Sequence, residues 1–122
     1  MLKGDFYTII SSVSKDTTSF SSVLDINKAH SIFKGHFPAL PIVPGVCMMQ
    51  IIKEQLEDNL QKKVKLQSAS NIKFLSLINP AENTEIEVDI KFTTTEEGTY
   101  LTDGVISVKG APYFKLVKAI YK

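Results

Sequence analysis

The residues best suited to chemistry lie in one segment, residues 35–50, with the sequence GHFPALPIVPGVCMMQ. His36 carries an imidazole whose ordinary pKa is near neutrality, so it can accept a proton at physiological pH. Gln50 follows fourteen residues later and is the single polar residue within the apolar run 46–52. A primary amide donates and accepts hydrogen bonds but cannot supply a proton. The segment therefore predicts a proton-accepting histidine near a buried, non-acidic polar group.

Three prolines determine how this segment can be held. Pro38, Pro41 and Pro44 exclude a regular helix before residue 44, and they fix the backbone that carries His36. Pro44 suits the first turn of a helix, because the backbone N–H that proline lacks has no intrahelical acceptor at that position. No glycine or proline interrupts the chain from there to about Gln61. We expect a helix over this stretch, with its first half surrounded by protein and an exposed end beyond residue 53.

The rest of the chain shows the two-residue period of β-strands. In EIEVDIKF, apolar and charged residues alternate, which is typical of a half-buried strand. A change of apolar parity near residue 75 predicts a bulge or bend. Strands are predicted at residues 5–14, 18–26, 64–78, 85–92, 100–110 and 112–122. One mostly apolar helix with about six antiparallel strands predicts a single α+β domain over residues 1–122, with a curved sheet wrapped around the central helix.

Composition excludes several classes of protein. The formal net charge of +1 argues against a nucleic-acid-binding protein, which normally has a clear basic excess. The single cysteine, Cys47, cannot form an intrachain disulfide and favours a reducing compartment. No apolar stretch near the N-terminus is long enough for a signal sequence or a membrane span. We therefore expect a cytoplasmic protein.

The segment GHFPALPIVPGV resembles the signature of the β-hydroxyacyl-(acyl-carrier-protein) dehydratases, FabZ-like hotdog-fold enzymes of fatty acid synthesis. The family pattern is GHFPG, one residue, P, two residues, PGVL, two residues, then an acid. Ala39 and Cys47 replace the usual Gly and Leu, and Gln50 replaces the acid. The positions that match the pattern are His36, Phe37, Pro38, Pro41, Pro44, Gly45 and Val46.

The resemblance implies a hotdog fold and a homodimer, or a higher oligomer of dimers, with each active site at the dimer interface. The partner is an acyl carrier protein whose acyl-phosphopantetheine arm enters a narrow tunnel. His36 would act on the α-carbon proton, and the Gly45 amide would polarise the thioester carbonyl. An acid from the other subunit's helix would protonate the departing β-hydroxyl, giving a trans-2-enoyl thioester. Neither a metal nor an organic cofactor is implied.

The resemblance also implies that Phe37, Pro44 and Val46 contribute to substrate binding. Gln50 would then orient a water or the β-hydroxyl. Glu54, one helical turn further on, could substitute for the acid, although beside charged neighbours it is more simply predicted to be solvated.

Three other features have simpler interpretations. His30 lacks the context of the signature and is predicted to be a surface or loop residue. Cys47 is predicted to be a small buried hydrophobe. The basic turn formed by Lys62, Lys63 and Lys65 could attract an acidic carrier protein, or could simply be solvated.

The leading prediction is a 3-hydroxyacyl-(acyl-carrier-protein) dehydratase of fatty acid or related acyl-chain biosynthesis, with Gln50 in place of the acid. One alternative is a non-catalytic or half-site subunit, which would bind the acyl carrier protein and pair with an acid-bearing dehydratase as a heterodimer. A further alternative is an acyl-thioesterase, because the hotdog fold also hosts thioester hydrolysis and a fold does not fix its chemistry.

Overall fold

Six antiparallel strands form one sheet in the computed structural model, which describes residues 2–35 and 42–122. The strand order is β1-β2-β4-β5-β6-β3, so β1 and β3 are the edge strands. The predicted order of two strands, a long helix and four strands is confirmed, and a four-residue helix not predicted from sequence precedes the long one. The elements are β1 (Tyr7–Asp16), β2 (Ser19–Ile26), α1 (Ile32–Gly35), α2 (Gly45–Leu60), β3 (Leu66–Phe74), β4 (Glu85–Thr94), β5 (Tyr100–Val108) and β6 (Ala111–Tyr121).

Alternating side chains of the central strands form one wall of the core. Since successive residues of a strand point to opposite faces, every second position of β2, and of β4 as far as Phe92, is buried. These buried positions are Phe20, Ser22, Leu24 and Ile26 on β2, and Ile86, Val88, Ile90 and Phe92 on β4.

The helix α2 packs on this face of the sheet. Its residues Ile51, Ile52 and Leu56 have no solvent exposure. The backbone of β5 approaches the helix closely, because a Cβ added at Gly104 would lie 2.9 Å from Cδ1 of Ile52. A glycine inside this strand is therefore explained by the close passage of α2.

The predicted exposed end of α2 is wrong. Glu54, Gln55 and Glu57 are buried, and each has hydrogen-bond partners inside the protein. Gln55 Oε1 accepts from Ser22 Oγ at 3.0 Å, and Glu57 Oε2 accepts from the Val64 backbone N–H at 3.0 Å. Buried polar groups that keep their hydrogen bonds are tolerated in a core. The polar residues in the second half of α2 can therefore be buried.

The β3 edge of the sheet carries exposed apolar side chains. Ile72, Phe74, Leu75 and Leu77, here named the β3 edge patch, are 43–63% exposed. The predicted bend lies here, because β3 ends at Phe74 and a bend follows at residue 76. Exposed apolar surface on a strand with unpaired backbone groups is typical of an interaction surface. Among the described residues, the helices are too short or too polar to span a membrane.

Candidate active site

The signature segment is only partly within the described residues. His36, Phe37, Pro38, Ala39 and Pro41 lie outside them, so the position of the imidazole stays a prediction. The signature residues that can be placed are Pro44, Gly45, Val46, Cys47 and Gln50, at the start of α2.

The helix α2 begins near Pro44 as predicted, although Pro44 precedes the first turn and does not lie within it. Pro44 is the N-cap residue, with an extended backbone at φ −61° and ψ 146°, and Gly45 is the first helical residue. The first backbone N–H groups of a helix lack intrahelical acceptors and lie at the positive end of its dipole. Val46 is 74% exposed, so this end of the helix is accessible. The start of α2 can therefore receive an oxygen that carries negative charge.

Gly45 also lies close to the edge of the sheet. A Cβ at this position would lie 2.7 Å from Cε1 of Phe74, a member of the β3 edge patch. The backbone conformation does not require glycine, because Gly45 is helical and is not among the glycines with positive φ. The Phe74 ring therefore connects the start of α2 to the exposed edge of the sheet.

A cavity of about 220 Å³ lies beside the first half of α2. Gln50 contributes to its wall, so the amide that replaces the family acid faces accessible space. Other residues that line the cavity are Val46 and Lys53 of α2, together with Lys65, Leu66 and Tyr121 from the sheet side. We take this as the candidate active site.

The side chain of Gln50 is held by Glu54. Gln50 Nε2 donates to Glu54 Oε2 across 2.8 Å. The same carboxylate accepts the backbone N–H groups of Leu2 at 2.8 Å and Lys3 at 2.9 Å, and the Tyr7 hydroxyl at 3.1 Å. With only 2% of its surface exposed, Glu54 is a buried acceptor of four hydrogen bonds. The prediction that Glu54 is solvated is wrong.

The environment of Glu54 determines its charge. Burial raises the pKa of this carboxyl, but the hydrogen bonds from Leu2, Gln50, Lys3 and Tyr7 outweigh burial and hold the pKa below its usual value. The group is therefore ionised at neutral pH and accepts hydrogen bonds without donating. This geometry argues against Glu54 as a substitute acid.

Tyr121 is a cavity residue that the sequence analysis missed. Burial, together with the negative charge of Glu57, raises the pKa of its phenol to about 12, so the hydroxyl keeps its proton at neutral pH. Leu66 and Tyr121 come from β3 and β6, and no local pattern in the sequence connects them to Gln50. The strand order, which places β6 beside β3, brings these two together. Lys53 follows Gln50 by three residues on α2 and shares its side of the helix.

His30 and Cys47 have the structural roles predicted for them. His30 lies in a loop, where Nδ1 accepts the Ile32 backbone N–H at 3.1 Å and Nε2 lies 3.1 Å from Asp5 Oδ2. The tautomer with hydrogen on Nε2 satisfies both contacts. Cys47 is 4% exposed, and burial raises the pKa of its thiol, so it is a core residue with no activating partner among the described residues.

The three lysines of the basic turn lie in two different environments. The Lys62 ammonium lies 5.3 Å from the centre of the Tyr100 ring, and the Lys63 ammonium lies 4.0 Å from Glu57 Oε1. Lys65 instead lines the cavity that contains Gln50. Within residues 2–35 and 42–122, no cluster of three or more His, Cys, Asp or Glu residues is arranged to hold a metal ion.

Most of the chain, including α2 and Gln50, matches a known family model. Residues 12–107 match the model of the ApeI-like family, described as ApeI dehydratase. The chain belongs to the ApeI-like dehydratases. The predicted FabZ-like dehydratase family is thereby confirmed.

Curated relatives of this ApeI-like chain are dehydratases. A 3-hydroxyacyl-[acyl-carrier-protein] dehydratase FabZ of Rickettsia massiliae is 29% identical over 80 residues, which are 59% of this chain and 55% of that protein. The same enzyme of Rickettsia conorii is 28% identical over 103 residues, covering 70% of this chain and 71% of that protein. The match spans about half the length of the Rickettsia massiliae protein and of the FabZ of Rickettsia typhi, at 55% and 52%.

Solved structures confirm the hotdog fold of this ApeI-like chain. The dehydratase heterocomplex ApeI:P from Xenorhabdus doucetiae contains a chain that matches with a TM-score of 0.67 at 17% identity, covering 93% of this chain and 94% of that one. An uncharacterised protein from Erwinia carotovora subsp. atroseptica matches with a TM-score of 0.68 at 18% identity, covering 93% of each chain.

Proposed function

We propose that this chain acts in the dehydration of a 3-hydroxyacyl thioester presented by an acyl carrier protein, giving a trans-2-enoyl thioester. Membership of the ApeI-like dehydratases and the curated FabZ relatives support this reaction class. The observation that carries the proposal is the position of Gln50. The residue that occupies the place of the family acid lines a cavity beside the accessible start of α2.

In this proposal each signature residue has a defined role. His36 removes the proton from the α-carbon, and the electron pair of that C–H bond forms the new double bond as the C–O bond at the β-carbon breaks. The Gly45 N–H, at the positive end of α2, stabilises the charge that develops on the thioester oxygen. Pro44 and Val46 border the thioester, and Phe37 forms part of the acyl wall.

The departing β-hydroxyl must gain a proton to leave as water. Gln50 cannot provide one, and ionised Glu54 has none to give. The proton then comes either from His36, which holds it after the first step, or from an acid of a second chain. Without a positioned acid we expect catalysis slower by about two to four orders of magnitude than in an acid-bearing relative.

Lysines at the cavity suit an anionic carrier. Lys53 and Lys65 both line the cavity beside Gln50. Their positive charges would attract the acidic side chains of a carrier protein at long range. Lys62 and Lys63 already contact Tyr100 and Glu57, so we assign the carrier-binding role to Lys65 together with Lys53.

A half-site subunit is the second candidate function, and the Gln50–Glu54 contact favours it. Since neither residue can act as the acid, a partner chain with an acid at the equivalent position would complete the site. The solved ApeI:P assembly is a dehydratase heterocomplex, which is a precedent for pairing within this fold. The β3 edge patch is suited to such a partner or to a second copy of this chain.

The deciding experiment incubates the purified chain with 3-hydroxyacyl and plain acyl forms of an acyl carrier protein and identifies the products by mass spectrometry. We expect loss of one water from the hydroxylated substrate and no change in the plain one. A His36→Ala variant is the control and should show no dehydration. Release of free acid from both substrates would instead indicate a thioesterase and overturn the proposal.

The same assay separates the two candidate functions. The chain is tested alone and then co-expressed with an acid-bearing dehydratase from the same genome. A half-site subunit should be nearly inactive alone and should co-purify as an active heterodimer. Activity in a homodimer without any partner would exclude the half-site function.

A further inference from the structure

We propose that Glu54 is a positioning residue that fixes the Gln50 amide so that its carbonyl oxygen, Oε1, accepts a hydrogen bond from the substrate's β-hydroxyl. This inference rests on the proposed function, because it concerns how the same cavity recognises a hydroxylated acyl chain. Gln50 would then select the substrate by its hydroxyl group and leave proton delivery to another residue.

Hydrogen-bond polarity determines the orientation of the amide. Glu54 Oε2 accepts from the Leu2 N–H and from Gln50, while Oε1 accepts from the Lys3 N–H and the Tyr7 hydroxyl. Leu2, Lys3 and Tyr7 already supply three donors without Gln50, and an ionised carboxylate has no hydrogen to offer. The atom of Gln50 that faces it must therefore be the nitrogen, and the carbonyl oxygen is directed away from Glu54.

A connected network keeps Glu54 in place. The Tyr7 hydroxyl that donates to Glu54 also accepts from Gln55 Nε2 at 3.2 Å, and Gln55 Oε1 accepts from Ser22 Oγ at 3.0 Å. The network therefore links β1, β2 and α2 inside the protein. Reversal of the Gln50 amide would place its carbonyl oxygen against the carboxylate, so the network opposes that reversal.

The exposed side of this arrangement is the cavity. Gln50 is partly buried and lines it, whereas Glu54 is 2% exposed and is not one of the lining residues. A ligand hydroxyl in the cavity can thus meet Gln50 without contacting Glu54. An acyl chain that lacks the hydroxyl offers no donor to Oε1 of Gln50, so this hydrogen bond is lost with that ligand. The site can therefore distinguish the two kinds of acyl chain.

Binding of two matched ligands tests the proposal. The ligands are pantetheine amides, which resist hydrolysis, carrying either a 3-hydroxyacyl chain or the same acyl chain without the hydroxyl. We expect the chain to bind the hydroxylated ligand about 2- to 10-fold more tightly, the range of one ordinary hydrogen bond. Gln50→Leu should abolish this preference.

Two variants separate positioning from general damage to the network. Glu54→Leu removes both oxygens that accept from Gln50 and its neighbours, so it should remove most of the hydroxyl preference. Tyr7→Phe deletes one donor to Glu54 but leaves its contacts with Leu2, Lys3 and Gln50, so it should keep the preference. A folded Glu54→Leu protein with the original preference would overturn the proposal.

A measurement on the unaltered protein makes the test independent of the variants' folding. The side-chain NH₂ resonances of Gln50 are followed by NMR as the pH is lowered. They should shift as Glu54 titrates, below the ordinary carboxyl value of 4.5. Resonances that do not respond to this titration would refute the positioning role.

The outcomes also distinguish this inference from the proposed function. If neither ligand binds, the proposed function fails, and the NMR titration still decides whether Glu54 orients Gln50. If both ligands bind equally well, thioester recognition stands and hydroxyl selection by Gln50 fails.

Discussion

The hydroxyl of Tyr7, at the start of β1, donates to Glu54 in the middle of α2 across 3.1 Å. The Leu2 and Lys3 backbone N–H groups converge on the same carboxylate. Glu54 therefore ties the N-terminal segment and the first strand to the helix that carries the candidate site. The charge of this one buried group couples stability of the fold to pH.

Glu54 should make stability fall in acid. Its folded-state pKa is lowered, so ionised Glu54 favours the folded state above the ordinary pKa of 4.5, and this contribution is lost as pH falls through the lower folded value. Urea unfolding between about pH 7 and pH 3 measures the effect. Glu54→Gln should be less stable at neutral pH and should lose less stability in acid; a parallel acid loss in both proteins would contradict this assignment.

Tyr7→Phe should destabilise the protein by about 1–3 kcal/mol, because Gln55 Nε2 would lose its acceptor in a buried position. Urea unfolding at neutral pH gives the difference. Because phenylalanine keeps the aromatic ring, loss of packing in the core is not the cause of the lower stability. Unchanged stability would mean that the Tyr7 hydroxyl is not needed by the network.

Gly104→Ala should destabilise the fold by about 1–3 kcal/mol, because the added methyl would press on Ile52 Cδ1 at 2.9 Å. Ile52→Val removes that carbon and alone should cost about 0.5–1.5 kcal/mol. The double variant should be more stable than the sum of the two single effects predicts. If the losses of stability in the two single variants simply add, the contact with Ile52 does not explain why residue 104 is a glycine.

The sequence predicted the strands and the long helix well, because the period of apolar residues and the positions of prolines act on nearby residues. Alternation in β4 and the proline at residue 44 indicated a strand and a helix start that the structure contains. The burial of Glu54 could not be predicted, since its donors at Leu2 and Lys3 are 52 and 51 residues away. The polar residues on the second half of α2 therefore suggested a solvent-exposed helix end. In the structure they are buried, because residues distant in the sequence form hydrogen bonds with them.

The candidate site was predictable only in part, for a similar reason. The signature placed Gln50 near the start of α2, and the structure adds a cavity beside it. Tyr121 and Lys65 line that cavity because β6 pairs with β3, which is a consequence of topology. Neither residue carries a local signal that relates it to the signature.

Leu77→Asp tests the proposed association of two chains through the β3 edge patch and should weaken it. Leu77 is 63% exposed, so the change should leave the fold of the subunit intact. Ile10→Asp is the matched control, because Ile10 is 55% exposed on the opposite edge strand, β1. Sedimentation velocity over a range of concentrations should show dissociation in the Leu77 variant alone. Dissociation in the Ile10 variant alone would place the interface on β1.

Gln50→Glu should increase dehydration, by up to about two to four orders of magnitude if a missing acid is the full defect. The introduced carboxyl would lie against Glu54, which keeps its donors Leu2, Lys3 and Tyr7 and therefore stays ionised. Repulsion between two adjacent carboxylates raises the pKa of the introduced group, so a larger fraction of it keeps its proton at neutral pH than in an ordinary glutamate.

The pH profile of the Gln50→Glu enzyme tests this explanation. Its added activity should decline as pH rises through the raised pKa of the pair, because the acid form is then lost. Replacing His36 with Ala in the same variant should remove the gain, since the α-carbon proton would have no acceptor. A folded variant that binds substrate but gains no dehydration would show that the absent acid is not what limits this chain, and would favour completion of the site by a partner.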